Sequence, residues 1–258
     1  MSAPELRGID LPVTEEEKDW IENSYLWLIN EFGVDYFLGR RTILPEQSFF
    51  PDKYKANEEC VLKVFERVCS YMDVDPKTID IYFYAGPEDL GAKYRTGQSD
   101  SKPGTLGLYS HPTDSHPRTR IAINESNFKN PIKLVATIAH ELGHVILLGG
   151  GRISRDDKRH EYLTDLITVF LGLGIFTANS AFQFSQWSDH IHHGWQAARA
   201  GYLSEEMFAY GLAGYAWMRN EPKPDWAKHL SMNVGAHFKT CHKYLVKGGN
   251  TQLRVLKS

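Results

Sequence analysis

Apolar positions change period several times along the chain, and each change marks an element. From Glu15 to Phe32 the residues Ile21, Tyr25, Leu28 and Phe32 recur at helical spacing, which predicts a helix with one buried face. Thr14 is its candidate N-cap, acids fill its first turn, and Gly33 ends it. Asp35 to Pro51 mixes Pro, Gly, Phe and Arg without a period and predicts a loop, with a short strand at Arg41 to Leu44. A second helix is expected from about Tyr54 to Met72, on a stripe of Cys60, Val61, Val64, Phe65, Val68 and Met72. Three β-rich runs follow, Ile79 to Ala85, Thr105 to Ser110 and Thr119 to Asn124, separated by polar connections bearing Gly and Pro.

The helical period then returns. Asn130 as cap and Pro131 as first residue open a nearly uncharged helix, and Gly149-Gly150-Gly151 turns the chain back after it. The next helical pattern runs from about Asp157 to Ile175, and Asn179 to Trp195, rich in Ser, Gln, His and aromatics, reads as a solvated connection. Two further helices are predicted, Ser204 to Arg219 with Ser204 as cap, and Asp225 to Val246 after the break at Pro222 to Pro224. No repeat, low-complexity tract or charged linker divides the chain. The expectation is therefore one continuous α+β domain over residues 1–258: a helical part at 1–78, the sheet and its helices at 79–178, and a helical part at 179–258.

Composition narrows the function classes. A chain of 258 residues with 42% hydrophobic content can bury a large core. Its net charge of −3 and scattered Lys and Arg leave no electrostatic footprint for nucleic acid. Cys60, Cys69 and Cys241 are too few and too irregular for a disulfide framework or a Cys-rich zinc site, and the polar stretch from Met1 to Asp19 has no secretory pattern, so a cytoplasmic protein with reduced thiols is expected. The apolar run Leu166 to Phe176 falls short of the roughly 20 residues that cross a bilayer, and no membrane partner is expected.

The chemistry concentrates in His140-Glu141-Leu142-Gly143-His144. On a helix, residues four apart differ by about 40° in direction and about 6 Å in height, so the two imidazoles project from one face and can reach one zinc ion. Glu141 stands about 100° around, beside the metal, where a general base belongs. It and the two histidines are the only ionisable residues from Leu134 to Leu148, and such a group in an apolar helix is costly without a partner or a task. A glycine inside a helix costs about 1 kcal/mol relative to alanine, so Gly143 predicts a close approach by a neighbour.

Catalytic zinc usually takes three protein ligands. The following helix opens with His160-Glu161-Tyr162-Leu163-Thr164-Asp165, whose Glu161 and Asp165 share a face. Glu161 there can coordinate the metal while Asp165 accepts the outer N–H of a ligand histidine. Glu161 also suits the plainer role of a first-turn acid complementing the helix dipole. His160, Asp157 and the cluster His190, His192 and His193 are rival third ligands.

Together the two motifs resemble the gluzincin branch of the zinc metallopeptidases, in which a His-Glu-x-x-His helix is followed by a Glu-x-x-x-Asp helix; they are more distantly similar to the ImmA/IrrE-like metallopeptidases. The resemblance covers Thr137 to Asp165. It implies a small zincin-like sheet packed on the zinc-binding helix, with additional helices on either side in sequence. It further implies Zn2+ held by His140, His144 and Glu161, Glu141 as base, Asp165 as partner of His140, and a peptide or protein substrate. Thr105 to Ser110 would be the edge strand that takes an extended peptide. His193, Tyr202 and Tyr210 are the candidates for stabilising an oxyanion. The reading from another class is a zinc-stabilised regulatory or binding module, its metal saturated by a fourth ligand such as His160 or a member of the His190 to His193 cluster.

Overall fold

The first helix starts where the sequence places it because its cap is closed on both sides. Thr14 Oγ1 accepts the Glu17 N–H at 3.2 Å, and Glu17 Oε2 accepts the Thr14 N–H at 2.8 Å. Helix α1, Glu15–Phe32, buries Ile21, Tyr25 and Leu28 and ends at Gly33, whose φ is +92°. A short helix α2, Val34–Gly39, then replaces the expected loop. Its Phe37 is buried against Tyr25, Phe170 and Tyr215, so tertiary packing supplies what the local pattern lacks. The predicted strand at Arg41 to Leu44 is absent; Ile43 instead donates its N–H to Gly172 O at 2.9 Å. Helix α3, Glu58–Tyr71, starts later than Tyr54, since Asn57 caps it and the Tyr54 hydroxyl is drawn away to Phe128 O at 2.7 Å.

In this computed structural model the described residues are 9–86, 88–89, 107–114, 116–189 and 202–256. Their strands β1 (Ile79–Tyr84), β2 (Gly107–Ser110) and β3 (Thr119–Asn124) form one mixed sheet in the order β1-β3-β2. β1 lies parallel to β3 with Ile79 opposite Thr119, and β2 lies antiparallel on the other side with Gly107 opposite Ile123. Central β3 is buried from Thr119 to Ile123, as a strand covered on both faces must be. β2 is an edge strand.

Helix α4, Pro131–His144, is capped by Asn130, whose Oδ1 accepts the Lys133 N–H at 3.1 Å. Each residue from Leu134 to His144 is buried, and the helix runs on into a π-helical turn, Val145–Gly149. The stretch Pro131–Gly149 is long and apolar enough to cross a membrane, but it is 67% buried inside the protein and is a core helix.

Helix α5, His160–Phe170, is shorter than the pattern from Asp157 to Ile175 implied. The chain turns at Gly172, with φ +90°, before helix α6, Gly174–Asp189. A Cβ at position 172 would lie 2.1 Å from Arg41 O, so the backbone passes too closely for any other residue. Helix α6 also occupies part of the stretch read as a connection from Asn179, while 190–195 falls outside the described residues.

Helix α7, Glu205–Met218, is capped by Ser204. The predicted helix from Asp225 to Val246 is two pieces, a 3-10 turn Asp225–His229 and helix α8, Met232–Val246. Asn179 holds the break: its Nδ2 donates to His229 O at 2.8 Å and its Oδ1 accepts the Ser231 N–H at 2.7 Å. The main buried cluster draws side chains from Val13 to Leu253, so helices from both ends of the described chain share one core with the sheet. The architecture is α+β, with helices predominating over a small sheet.

Candidate metal centre

The close approach expected at Gly143 is made by helix α5. A Cβ there would lie 2.9 Å from Thr164 Cγ2 and 3.1 Å from the Thr164 carbonyl. This contact sets the first turn of α5 over the imidazoles of α4. Glu161 Oε2 lies 3.1 Å from His140 Nε2 and 3.3 Å from His144 Nε2, and one donor atom from each residue falls within 4.8 Å of the others. Two atoms bonded at about 2.0–2.2 Å to one tetrahedral ion stand roughly 3.3 Å apart, so the spacing fits a shared zinc-sized cation.

The outer nitrogens fix the tautomers. His140 Nδ1 donates to Asp165 Oδ1 at 2.8 Å, since an ionised carboxylate only accepts. The Thr164 hydroxyl donates to His160 O at 2.8 Å, which leaves its oxygen to accept from His144 Nδ1 at 3.3 Å. In the neutral imidazoles both Nε2 lone pairs then face a carboxylate oxygen. Lone pairs so gathered repel unless a cation, proton or metal, lies among them, and the donor set of two imidazoles and a carboxylate suits Zn2+.

Electrostatics point the same way. Burial works against a charged His140, but the Asp165 and Glu161 carboxylates outweigh it and raise its pKa well above the usual range. Burial also works against ionised Glu161, yet the neighbouring His140, His144 and His160 side chains hold it well below the usual carboxylate range. At His144 burial prevails and lowers the pKa. Glu161 therefore keeps its negative charge between the imidazoles.

Among the rival ligands, His160 and Asp157 do not join the group. His160 Nδ1 donates to Asp157 O at 2.8 Å, and its Nε2 lies 3.1 Å from Glu161 Oε1, the oxygen turned away from the other two histidines. It therefore holds the carboxylate in place. The Asp157 side chain accepts the Arg159 N–H at 2.9 Å. His190, His192 and His193 lie outside the described residues.

Glu141 is 5% exposed, and burial pushes its carboxyl up to about 8 against the opposing effect of His140. Glu161 adds to the rise, and a hydrogen bond from the Tyr109 N–H works against it. Strand β2 passes directly over this carboxylate: a Cβ at Gly107 would lie 2.5 Å from Glu141 Oε1. The Tyr109 ring stacks on His144 with centroids 5.7 Å apart.

Tyr202 lies by the centre, its ring centroid 5.3 Å from that of His140. The next residue holds it there, as Leu203 donates its N–H to Asp165 Oδ2 at 2.9 Å. Burial and the carboxylates of Glu161, Glu141 and Asp165 push the Tyr202 hydroxyl well above its usual range, so it stays protonated and able to donate. Tyr210 is elsewhere; its hydroxyl donates to buried Glu22 at 2.6 Å and ties α7 to α1. Thr164 and Gly107 escaped the sequence reading. Thr164 stands three residues after Glu161 on the same helical face, which was the available signal.

Comparison with protein-family models, with curated proteins and with solved structures found no match to this chain, so its functional reading rests on the geometry of the centre.

Proposed function

We propose that the protein is a zinc-dependent metallopeptidase in which His140, His144 and Glu161 hold Zn2+ and Glu141 is the general base. One observation carries the reading: two imidazole Nε2 atoms converge on one carboxylate oxygen, at 3.1 and 3.3 Å, beside the buried carboxyl of Glu141. When bound, zinc supplies Lewis acidity and brings the pKa of water towards about 7.

The chain's own groups do the rest. Glu141, with a proton affinity near neutrality, accepts a proton and delivers it to the leaving amine. Asp165 and Thr164 keep both ligand imidazoles in one tautomer, and His160 fixes the far oxygen of Glu161. The protonated Tyr202 hydroxyl donates to the oxyanion that forms at the carbonyl. An extended peptide is the substrate shape that suits the place, because edge strand β2 runs over Glu141 and a peptide can add to it as a further strand. A closed structural zinc site would call on a fourth protein ligand; His160 is instead committed to Glu161 Oε1 and Asp157 O, and His190, His192 and His193 lie outside the described residues.

The test compares zinc-loaded parent protein with Glu141→Gln on a proteome-derived peptide library read by mass spectrometry. The parent is expected to carry one zinc and cleave, and the variant to keep its zinc while cleavage falls by at least about 100-fold. Absence of cleavage by zinc-loaded parent, or equal cleavage by the variant, overturns the assignment.

A further inference from the structure

The segment between α4 and α5 carries three arginines, two of which are committed. Arg152 donates to Ile146 O at 2.8 Å and lies over the Phe32 ring, while Arg159 pairs with Glu16 at 2.8 Å. Arg155 is exposed and pairs with no carboxylate among the described residues. Its guanidinium carbon stands 5.4 Å from the centre of the Tyr109 ring.

That ring is part of the metal centre's wall. Tyr109 belongs to β2, stacks on His144, ties its hydroxyl to His111 Nδ1 at 3.0 Å, and gives its backbone N–H to Glu141. A cation–π contact with a ring so fixed restrains a side chain that would otherwise sample solvent widely. The result is a fork of unspent donors held over the Tyr109 ring, the same ring that stacks on His144.

We propose that Arg155 is the specificity anchor of the centre and takes a substrate carboxylate close to the scissile bond of a peptide laid along β2. The inference rests on the metallopeptidase reading and names its substrate class: peptides with an acidic side chain, or a free C-terminal carboxylate, at that point. The reach follows from strand geometry. Tyr109 stands two positions from Gly107, the residue over Glu141, and a strand advances about 3.3 Å per residue, so the carboxylate belongs one or two residues from the bond that Glu141 faces. The guanidinium fork matches a carboxylate in two parallel hydrogen bonds, which a lysine cannot do. Arg155, over the Tyr109 ring, is the cation such a carboxylate meets beside the centre.

The experiment uses zinc-loaded Glu141→Gln protein, which holds a peptide without turning it over. It is titrated with synthetic peptides alike except for Asp, Glu, Asn, Gln or Lys at one scanned position and a free or amidated C-terminus, and the titrations are repeated with Arg155→Gln and Arg155→Glu added. Carboxylate-bearing peptides are expected to bind about tenfold more tightly than their neutral twins. Arg155→Gln should erase that preference and Arg155→Glu turn it towards Lys. The twin pair that shows the preference tells a side-chain carboxylate from a terminal one. No binding, equal binding of the twins, or a preference that survives Arg155→Gln overturns the proposal. Turnover by the parent protein reads the peptidase assignment separately: acid-selective binding without cleavage removes the peptidase and keeps the anchor, and cleavage without acid selectivity does the reverse.

Discussion

Glu141 occupies a place that opposes its own charge. A carboxyl whose pKa rises from 4.5 to about 8 in the fold keeps a proton, between those values, that the unfolded chain has already released. Folded protein then binds more protons than unfolded, so in the metal-free protein this residue lowers stability progressively as pH rises through that window and by a constant amount above it. At full extent the loss is roughly 3–5 kcal/mol. Chelator-treated Glu141→Gln should therefore be more stable than the parent, with a gap in urea midpoints that widens from pH 5 to pH 8; a gap independent of pH would place the carboxylate in solvent. The grouping of His140, His144 and Glu161 was legible in the sequence because helical spacing alone sets two of the three, and Asp165 followed from its distance to Glu161. Thr164 was not. A threonine inside a helix commonly bonds its own backbone, as this one does to His160 O, and its second role appears only once α5 is packed on α4. His160 stands as a rival ligand in the sequence for the same reason: the chain order gives it proximity to Glu161 but not the oxygen it faces.

Among the elements, α1, β3 and α7 follow their periods closely, since each carries both its own cap or breaker and its own buried face. The misread elements share another cause. At Gly172, at the Asn179 clamp and at Phe37, a partner distant in sequence overrides a continuous or featureless local pattern. Gly172 makes the point measurable, because it combines φ +90° with an Arg41 carbonyl 2.1 Å from where a Cβ would stand. Gly172→Ala should cost about 2–4 kcal/mol in urea unfolding, through backbone strain and displacement of the segment that follows α2. A loss of a few tenths would mean that the turn relaxes without resistance. The sequence Leu171-Gly172-Leu173-Gly174 did contain the signal, but two glycines in an apolar run do not say which one bends.

At the scale of the whole molecule, the sheet is small, and what holds the centre together is the crossing of α4 and α5 beneath β2. The α+β class was readable from the mixture of periods, whereas the strand order was not, because pairing β1 directly with β3, with β2 intervening only in sequence, depends on contacts no local pattern encodes. Asp165 extends the centre beyond those two helices. One of its oxygens serves His140 and the other accepts the Leu203 N–H at the entry to α7. Under the proposed function, a cation bound at one end and order at the other would be linked, and linkage acts equally in both directions. Removing the ion with a chelator should speed hydrogen exchange at the Leu203 amide while that of Ile123 in β3 stays slow; unchanged exchange at Leu203 would break the link. A chain that has lost its cation would thus announce the loss 38 positions downstream of the aspartate, at an amide touching no ligand atom.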